Sequence, residues 1–145
     1  IFNNSEKEIL ETIAELNMQE HVVFAGYVPD EDLPALYKQA QLYVFPSIYE
    51  GFGIPILEAF HYQLPVAVAN NTCLPEIAQG GALYFDPSNT DQLAVQMQAI
   101  VTNTPAVIAT LDAQPTVLQQ FSWDKAAASF VALALDGLKN ASKHA

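Results

Sequence analysis

Hydrophobic and polar positions along this chain switch repeatedly between a helical period and short continuous apolar runs. Ser5-Glu-Lys-Glu8 reads as a capping box that opens an amphipathic helix, with Ile9, Leu10, Ile13 and Leu16 at helical spacing. The run His21–Ala25 is short, β-branched and closed by Gly26, as a buried strand would be. Asp30-Glu-Asp32 supplies the cap and first-turn acids of a helix to about Ala40, with Leu33, Leu36 and Tyr37 on one face. Leu42–Phe45 is then a strand stopped by Pro46, and Pro55 suits the first position of a helix to about Gln63. A strand at Val66–Ala69, a short helix near Leu74–Gln79 and a strand at Ala82–Phe85 follow. Thr90 is expected to cap a helix that turns Leu93, Met97, Ile100 and Val101 inward. Beyond a stretch marked by Pro105 and Pro115, Ser122 caps a final helix with Trp123, Ala127, Phe130, Val131, Ala134 and Leu138 on one stripe.

Four continuous apolar strands separated by helices predict an α/β fold, a Rossmann-like parallel sheet with helices on both faces. Such sheets bind ligands beyond the carboxyl ends of their strands, which directs attention to the loops after Ala25, Phe45, Ala69 and Phe85. Composition agrees with one folded domain: 145 residues, 51% hydrophobic, with no repeat or low-complexity tract. No apolar run approaches the roughly 20 residues that a membrane span needs, and the acidic, Asn-rich start does not read as a signal peptide.

Charge narrows the partners. Sixteen acids against five bases give a net charge of −11, and every base is Lys. Nucleic acid and anionic membranes demand clustered cations, so neither is expected as a partner. Cys73 is the single cysteine, which excludes an internal disulfide and a multi-cysteine metal site and fits a cytoplasmic setting.

One loop carries chemistry: Pro46-Ser-Ile-Tyr-Glu50-Gly-Phe-Gly53-Ile-Pro55-Ile-Leu-Glu58. Gly51 and Gly53 bracket Phe52, so the backbone there can approach a ligand closely, and Gly53-Ile54 leads into a helix whose free N–H groups and dipole favour an anion. Glu50 on the loop and Glu58 about one turn into the helix are acceptors for hydroxyl groups at the sheet's carboxyl edge. A ligand bearing both phosphate and many hydroxyls fits that combination.

The stretch PSIYEGFGIPILEA closely resembles the Glu-x7-Glu signature of retaining, nucleotide-sugar-dependent glycosyltransferases of the GT-B fold, family four, the glycosyl transferases group 1 type. VVFAGYVPDEDLPALYKQAQLYVFPS before it, LPVAVANNTCLPEIAQGGALYFDP after it, and FSWDKAA near the end resemble that family's C-terminal domain in order and spacing. The resemblance implies that Glu50, the catalytic candidate, holds the donor-sugar hydroxyls and that Glu58 holds the ribose hydroxyls. It also implies that Phe52, Gly53 and Ile54 offer backbone N–H groups to the sugar and diphosphate, and that Gly26, Tyr27 and Val28 wall the nucleobase. The donor is then a nucleotide-diphosphate sugar, no metal or other cofactor is expected, and the sugar passes to an acceptor hydroxyl with retention of configuration.

The family's donor site also uses a basic pair upstream of the first strand seen here, and its acceptor-binding N-terminal domain lies further upstream. Neither is in this sequence, so residues 1–145 are read as the nucleotide-sugar-binding C-terminal domain without its first strands, inactive when isolated. The acceptor, whether sugar, lipid or protein, would be held by the N-terminal domain, which would also bring the longer protein to a membrane surface. The strand order implied is 3-2-1-4-5-6, with the run at 21–25 as the third. Two strands that should separate it from Leu42–Phe45 are then absent. Either Val22–Ala25 pairs directly with Leu42–Phe45, or two copies complete each other's sheet as a homodimer.

Other residues have blander readings. Ser47 either touches the ligand or satisfies a turn. Tyr27 and Tyr49 suit packing better than base stacking, His21 and His61 have no metal-ligand partner at the right spacing, and His144 belongs with Lys143 to a frayed tail. Cys73 has no nearby base to activate it. A non-catalytic Rossmann-like module that binds a nucleotide or a protein is the alternative function; intact Glu50, Gly51, Gly53 and Glu58 favour the transferase.

Overall fold

The computed structural model describes the backbone of residues 3–141 and the side chains of residues 7–136. Two compact units divide the chain, residues 1–34 and residues 35–145.

In the first unit, α1 spans Asn3–Glu15. It starts two residues before Ser5, whose side chain lies outside the described residues. Ile9 and Leu10 are each about half exposed (49%), Leu16 more so (66%), and Ile13 is half-buried, so the amphipathic face forms but is only partly covered. The expected strand over 21–25 does not form: no ladder involves it, and Val23 is 87% exposed. An extended apolar segment becomes a strand only when another backbone accepts and donates its hydrogen bonds.

Helix α2 (Leu33–Gln39) begins directly after Asp32. The second unit is built on a three-stranded parallel sheet, β1 (Tyr43–Phe45), β2 (Val66–Ala69) and β3 (Leu83–Phe85), in the order β1-β2-β3. Tyr43 aligns with Val66, and Ala67 with Leu83. Among the described residues the sheet thus has three strands where the apolar runs predicted four. All four β2 residues are buried, and since side chains alternate between faces both faces of this strand are covered. That is why β2 reads as a continuous apolar run.

Helix α3 (Ile54–His61) buries Ile56, Ala59 and Phe60, and packs against α4 (Leu74–Ala78), which continues into a 3-10 turn over Gln79–Gly81. Helix α5 (Thr90–Val101) packs on β2 and β3. Its cap is Asn89 rather than Thr90, because the Asn89 side chain accepts the Gln92 N–H at 3.0 Å. Ile100 is buried and Leu93 half-buried, whereas Val101 (65% exposed) and Met97 (39% exposed) do not face inward as expected.

The Pro-marked stretch is itself a helix, α6 (Pro105–Leu118), whose first-turn Pro105 needs no N–H partner and whose Pro115 sits inside it. Val107, Thr110, Gln114 and Val117 are its buried stripe. Gln114, fully buried, donates to the Leu64 and Gly81 carbonyls at 3.0 and 3.2 Å, tying α6 to the ends of two neighbouring turns. Ser122 caps α7 (Trp123–Ala141) as expected, accepting the Lys125 N–H at 3.2 Å. The apolar stripe of α7 is exposed: Trp123 86%, Phe130 73%, Val131 53%, with Ala127 and Ala134 also exposed. The side chain of Leu138, and Lys143 and His144, lie outside the described residues. No helix among the described residues is long and apolar enough to cross a membrane.

Candidate functional site

The loop between β1 and α3 is set by its glycines and by the next loop along the sheet. Gly53, the residue before α3, has φ 105°, and a Cβ there would stand 3.0 Å from Leu74 Cδ2 and 3.2 Å from Ile56 Cδ1. Only glycine satisfies both the backbone and the close packing on α4. Gly51 faces open space. The loop after β2 holds this one from the side. Asn71 Nδ2 donates to the Ile48 carbonyl at 2.8 Å, and the Cys73 thiol donates to the carbonyls of Glu50 at 3.2 Å and Phe52 at 3.4 Å. Ser47 satisfies a turn by donating to the Tyr49 carbonyl at 3.3 Å.

The first N–H groups of α3 carry no side-chain cap. Pro55 has no N–H, and that of Ile56 is taken by the Gly53 carbonyl at 3.0 Å, which leaves the backbone around Gly53 and Ile54 as the open donors of a helix dipole. Glu50 and Glu58 flank this end, both half-buried.

Glu58 has a partner that the sequence pattern did not single out. Tyr37 donates its phenol hydrogen to Glu58 Oε2 at 2.8 Å. Tyr37 stacks on Tyr62 (centroids 5.6 Å apart) and meets Tyr43 edge-on at 5.8 Å. Burial, and then the hydrogen bond and charge of Glu58, push the Tyr37 phenol well above the usual tyrosine range. Burial, then Glu58 and Glu50, push Tyr43 up to about 12, so one tyrosine senses both carboxylates. The structure therefore brings Glu50, Glu58, Tyr37 and Tyr43 together. Lys38 Nζ lies 5.8 Å from the Tyr62 ring centroid, within cation–π range.

Phe52 (41% exposed) meets Phe121 edge-on at 5.7 Å, and with Ile54, Leu57, Trp123 and Lys125 it lines a cleft of about 600 Å³ between α3 and the start of α7. Lys125 Nζ donates to the Gln119 carbonyl. Gly26, Tyr27 and Val28 belong to the 1–34 unit: Gly26 has φ 63°, Tyr27 is 88% exposed and Val28 is half-buried. Among the described residues no group of three or more His, Cys, Asp or Glu side chains is placed to hold a metal.

Residues 3–110 match the family described as "Glycosyl transferases group 1". The chain belongs to that family. The group 1 relatives include O-antigen chain mannosyltransferase B of Escherichia coli, 40% identical over 121 residues, or 82% of this chain and 32% of the relative. Among solved structures, the C-terminal domain of the group 1 protein LpcC from Francisella tularensis superposes with a TM-score of 0.69 at 19% identity, over 82% of this chain and 63% of that one. HepE of Anabaena, solved in complex with UDP, superposes with a TM-score of 0.76 at 26% identity, over 94% of this chain and 38% of its own. These neighbours share the α/β fold, a parallel sheet flanked by helices, which corresponds to the C-terminal half of the GT-B architecture. The chain spans about a third or less of the length of the first curated relatives it matches.

Proposed function

We propose that this chain is the donor-binding part of a retaining glycosyltransferase that moves a sugar from a nucleotide-diphosphate sugar to an acceptor hydroxyl. The observation that carries this reading is the uncapped N-terminus of α3 at Gly53, flanked by Glu50 and Glu58 at the carboxyl edge of the sheet. The diphosphate of the donor meets the free N–H groups of Gly53 and Ile54 and the positive end of the helix, which stabilise the charge that grows on the leaving phosphate as the glycosidic bond breaks. Glu50 accepts hydrogen bonds from hydroxyls of the sugar being transferred, and Glu58 from those of the ribose. Gly26, Tyr27 and Val28 are the proposed wall of the nucleobase. A cation for the diphosphate and a surface for the acceptor come from other parts of a longer polypeptide, and no metal is required. This segment alone is expected to bind nucleotides weakly, given its net charge of −11, and to transfer no sugar. The outer edge of β1, which among the described residues pairs only with β2, supports self-association by strand pairing.

Kinetics of a transfer-competent polypeptide that carries this chain separate the two carboxylates. Glu50→Ala removes contacts that tighten as charge develops on the sugar, and is expected to lower kcat tenfold or more, about 1.4 kcal/mol. Glu58→Ala removes contacts made equally in ground and transition states, and is expected to raise the donor KM about tenfold with kcat preserved. The opposite pattern exchanges the two roles, and full activity in both variants overturns the donor-site reading.

A further inference from the structure

The ribose assignment for Glu58 leaves a physical question, because a glutamate one turn into a helix has three rotatable bonds and loses that freedom when it binds. The structure answers it with a side chain from α2. Tyr37 donates to Oε2 of Glu58 at 2.8 Å, and no protein group among the described residues is bonded to Oε1. Tyr37 is itself fixed, stacked on Tyr62 and set edge-on to Tyr43, which in turn stacks on Phe45 of β1 at 5.9 Å. The phenol is therefore anchored through rings to the sheet, while its hydroxyl reaches the helix that carries the carboxylate.

We propose that Tyr37 is a positioning residue for nucleotide recognition, holding Glu58 by one carboxylate oxygen so that the other is preset to accept hydrogen bonds from the vicinal ribose hydroxyls. This rests on the ribose role given to Glu58 above. The consequence is that Tyr37 governs discrimination between ribose and a sugar lacking those hydroxyls without touching the nucleotide. A merely structural tyrosine would weaken the fold, or weaken binding of every nucleotide alike.

The test uses the 145-residue chain, ligand-observed NMR, and UDP, GDP and ADP as probes, together with the 2′,3′-dideoxy form of whichever binds. The wild-type chain is expected to prefer the ribonucleotide over its dideoxy form. Tyr37→Phe keeps the ring and loses the hydroxyl; it is expected to bind the ribonucleotide about fivefold more weakly, the typical value of one hydrogen bond, and the dideoxy form unchanged. Glu58→Gln is expected to abolish the preference. A Tyr37→Phe chain that keeps the full preference overturns the proposal while leaving the ribose role of Glu58 standing. Equal binding of both forms by the wild type removes the ribose role and this proposal with it. Collapse of the circular-dichroism melt in Tyr37→Phe assigns the phenol to the fold and also overturns the proposal.

Discussion

Two apolar runs of this chain share one pattern and meet different fates. Val66-Ala-Val-Ala69 is buried at every position and paired on both sides, whereas Val22-Val-Phe-Ala25 joins no ladder, with Val23 87% and Phe24 56% exposed. Residue type does not separate them, since both are β-branched and uncharged. Partners do: β2 lies between two strands and under helices, so each of its valines gains roughly 1.5–3 kcal/mol from burial that an exposed valine does not. A continuous apolar run thus reports a capacity for burial, and the surroundings decide whether it is used.

The sharpest way to break this comparison is to place the same charge in both runs. Val68→Asp puts an unpaired carboxylate into a fully buried site and is expected to cost more than about 4 kcal/mol, leaving the chain unfolded. Val23→Asp is expected to stay within about 0.5 kcal/mol of the wild type in urea unfolding followed by circular dichroism. Equal damage at the two positions would mean that the 22–25 run is buried in solution.

A smaller contrast comes from two glycines with left-handed backbones, one in each unit. Gly53→Ala meets both an unfavourable φ and contacts at 3.0 and 3.2 Å, and is expected to cost roughly 2–3 kcal/mol. Gly26→Ala has the φ of 63° and nothing within 4 Å, and is expected to cost about 1 kcal/mol. Denaturant midpoints rank the two; a reversed order would show that packing between α3 and α4 is looser than the distances imply.

The smallest effect is titration in the covered sheet. Burial raises Tyr84 to about 12, and burial with the nearby Glu58 and Glu50 raises Tyr43 to about 12. An unfolded phenol releases its proton near 10, so the unfolded chain loses protons first as pH rises. This stability is fully present below about pH 10 and falls away between about pH 10 and 12. Urea midpoints at pH 9 and 11.5 measure the loss, and Tyr43→Phe or Tyr84→Phe is expected to reduce it. An unchanged slope in both variants would place the titration elsewhere.

Much of the architecture was legible, for reasons tied to particular residues. Pro55 after Gly53 marked the start of α3, and VAVA marked a strand buried on both faces. Helix α6 escaped notice because Pro105 and Pro115 suggested a break and because its buried stripe includes the polar Thr110 and Gln114. Hydropathy cannot tell a solvated glutamine from one whose amide bonds two buried carbonyls. Asn89 rather than Thr90 caps α5, a one-residue ambiguity between two good capping residues. At the site, Glu50, Glu58 and the glycines stood out by motif. Tyr37 read only as a helix-face residue and Cys73 only as an inert thiol, since pairings across 21 and 23 residues have no local spacing to betray them.

Trp123 opens α7 and is the only tryptophan in the chain, with 86% of its surface exposed. Its indole is hydrated in the folded state much as it would be in an unfolded one, so intrinsic emission excited at the tryptophan band reports the surface beside Phe52 and Lys125 rather than the sheet. The fluorescent reporter and the cooperative core of this domain are different places. A dye-free emission scan would register events in the cleft while remaining almost silent as β2 comes apart.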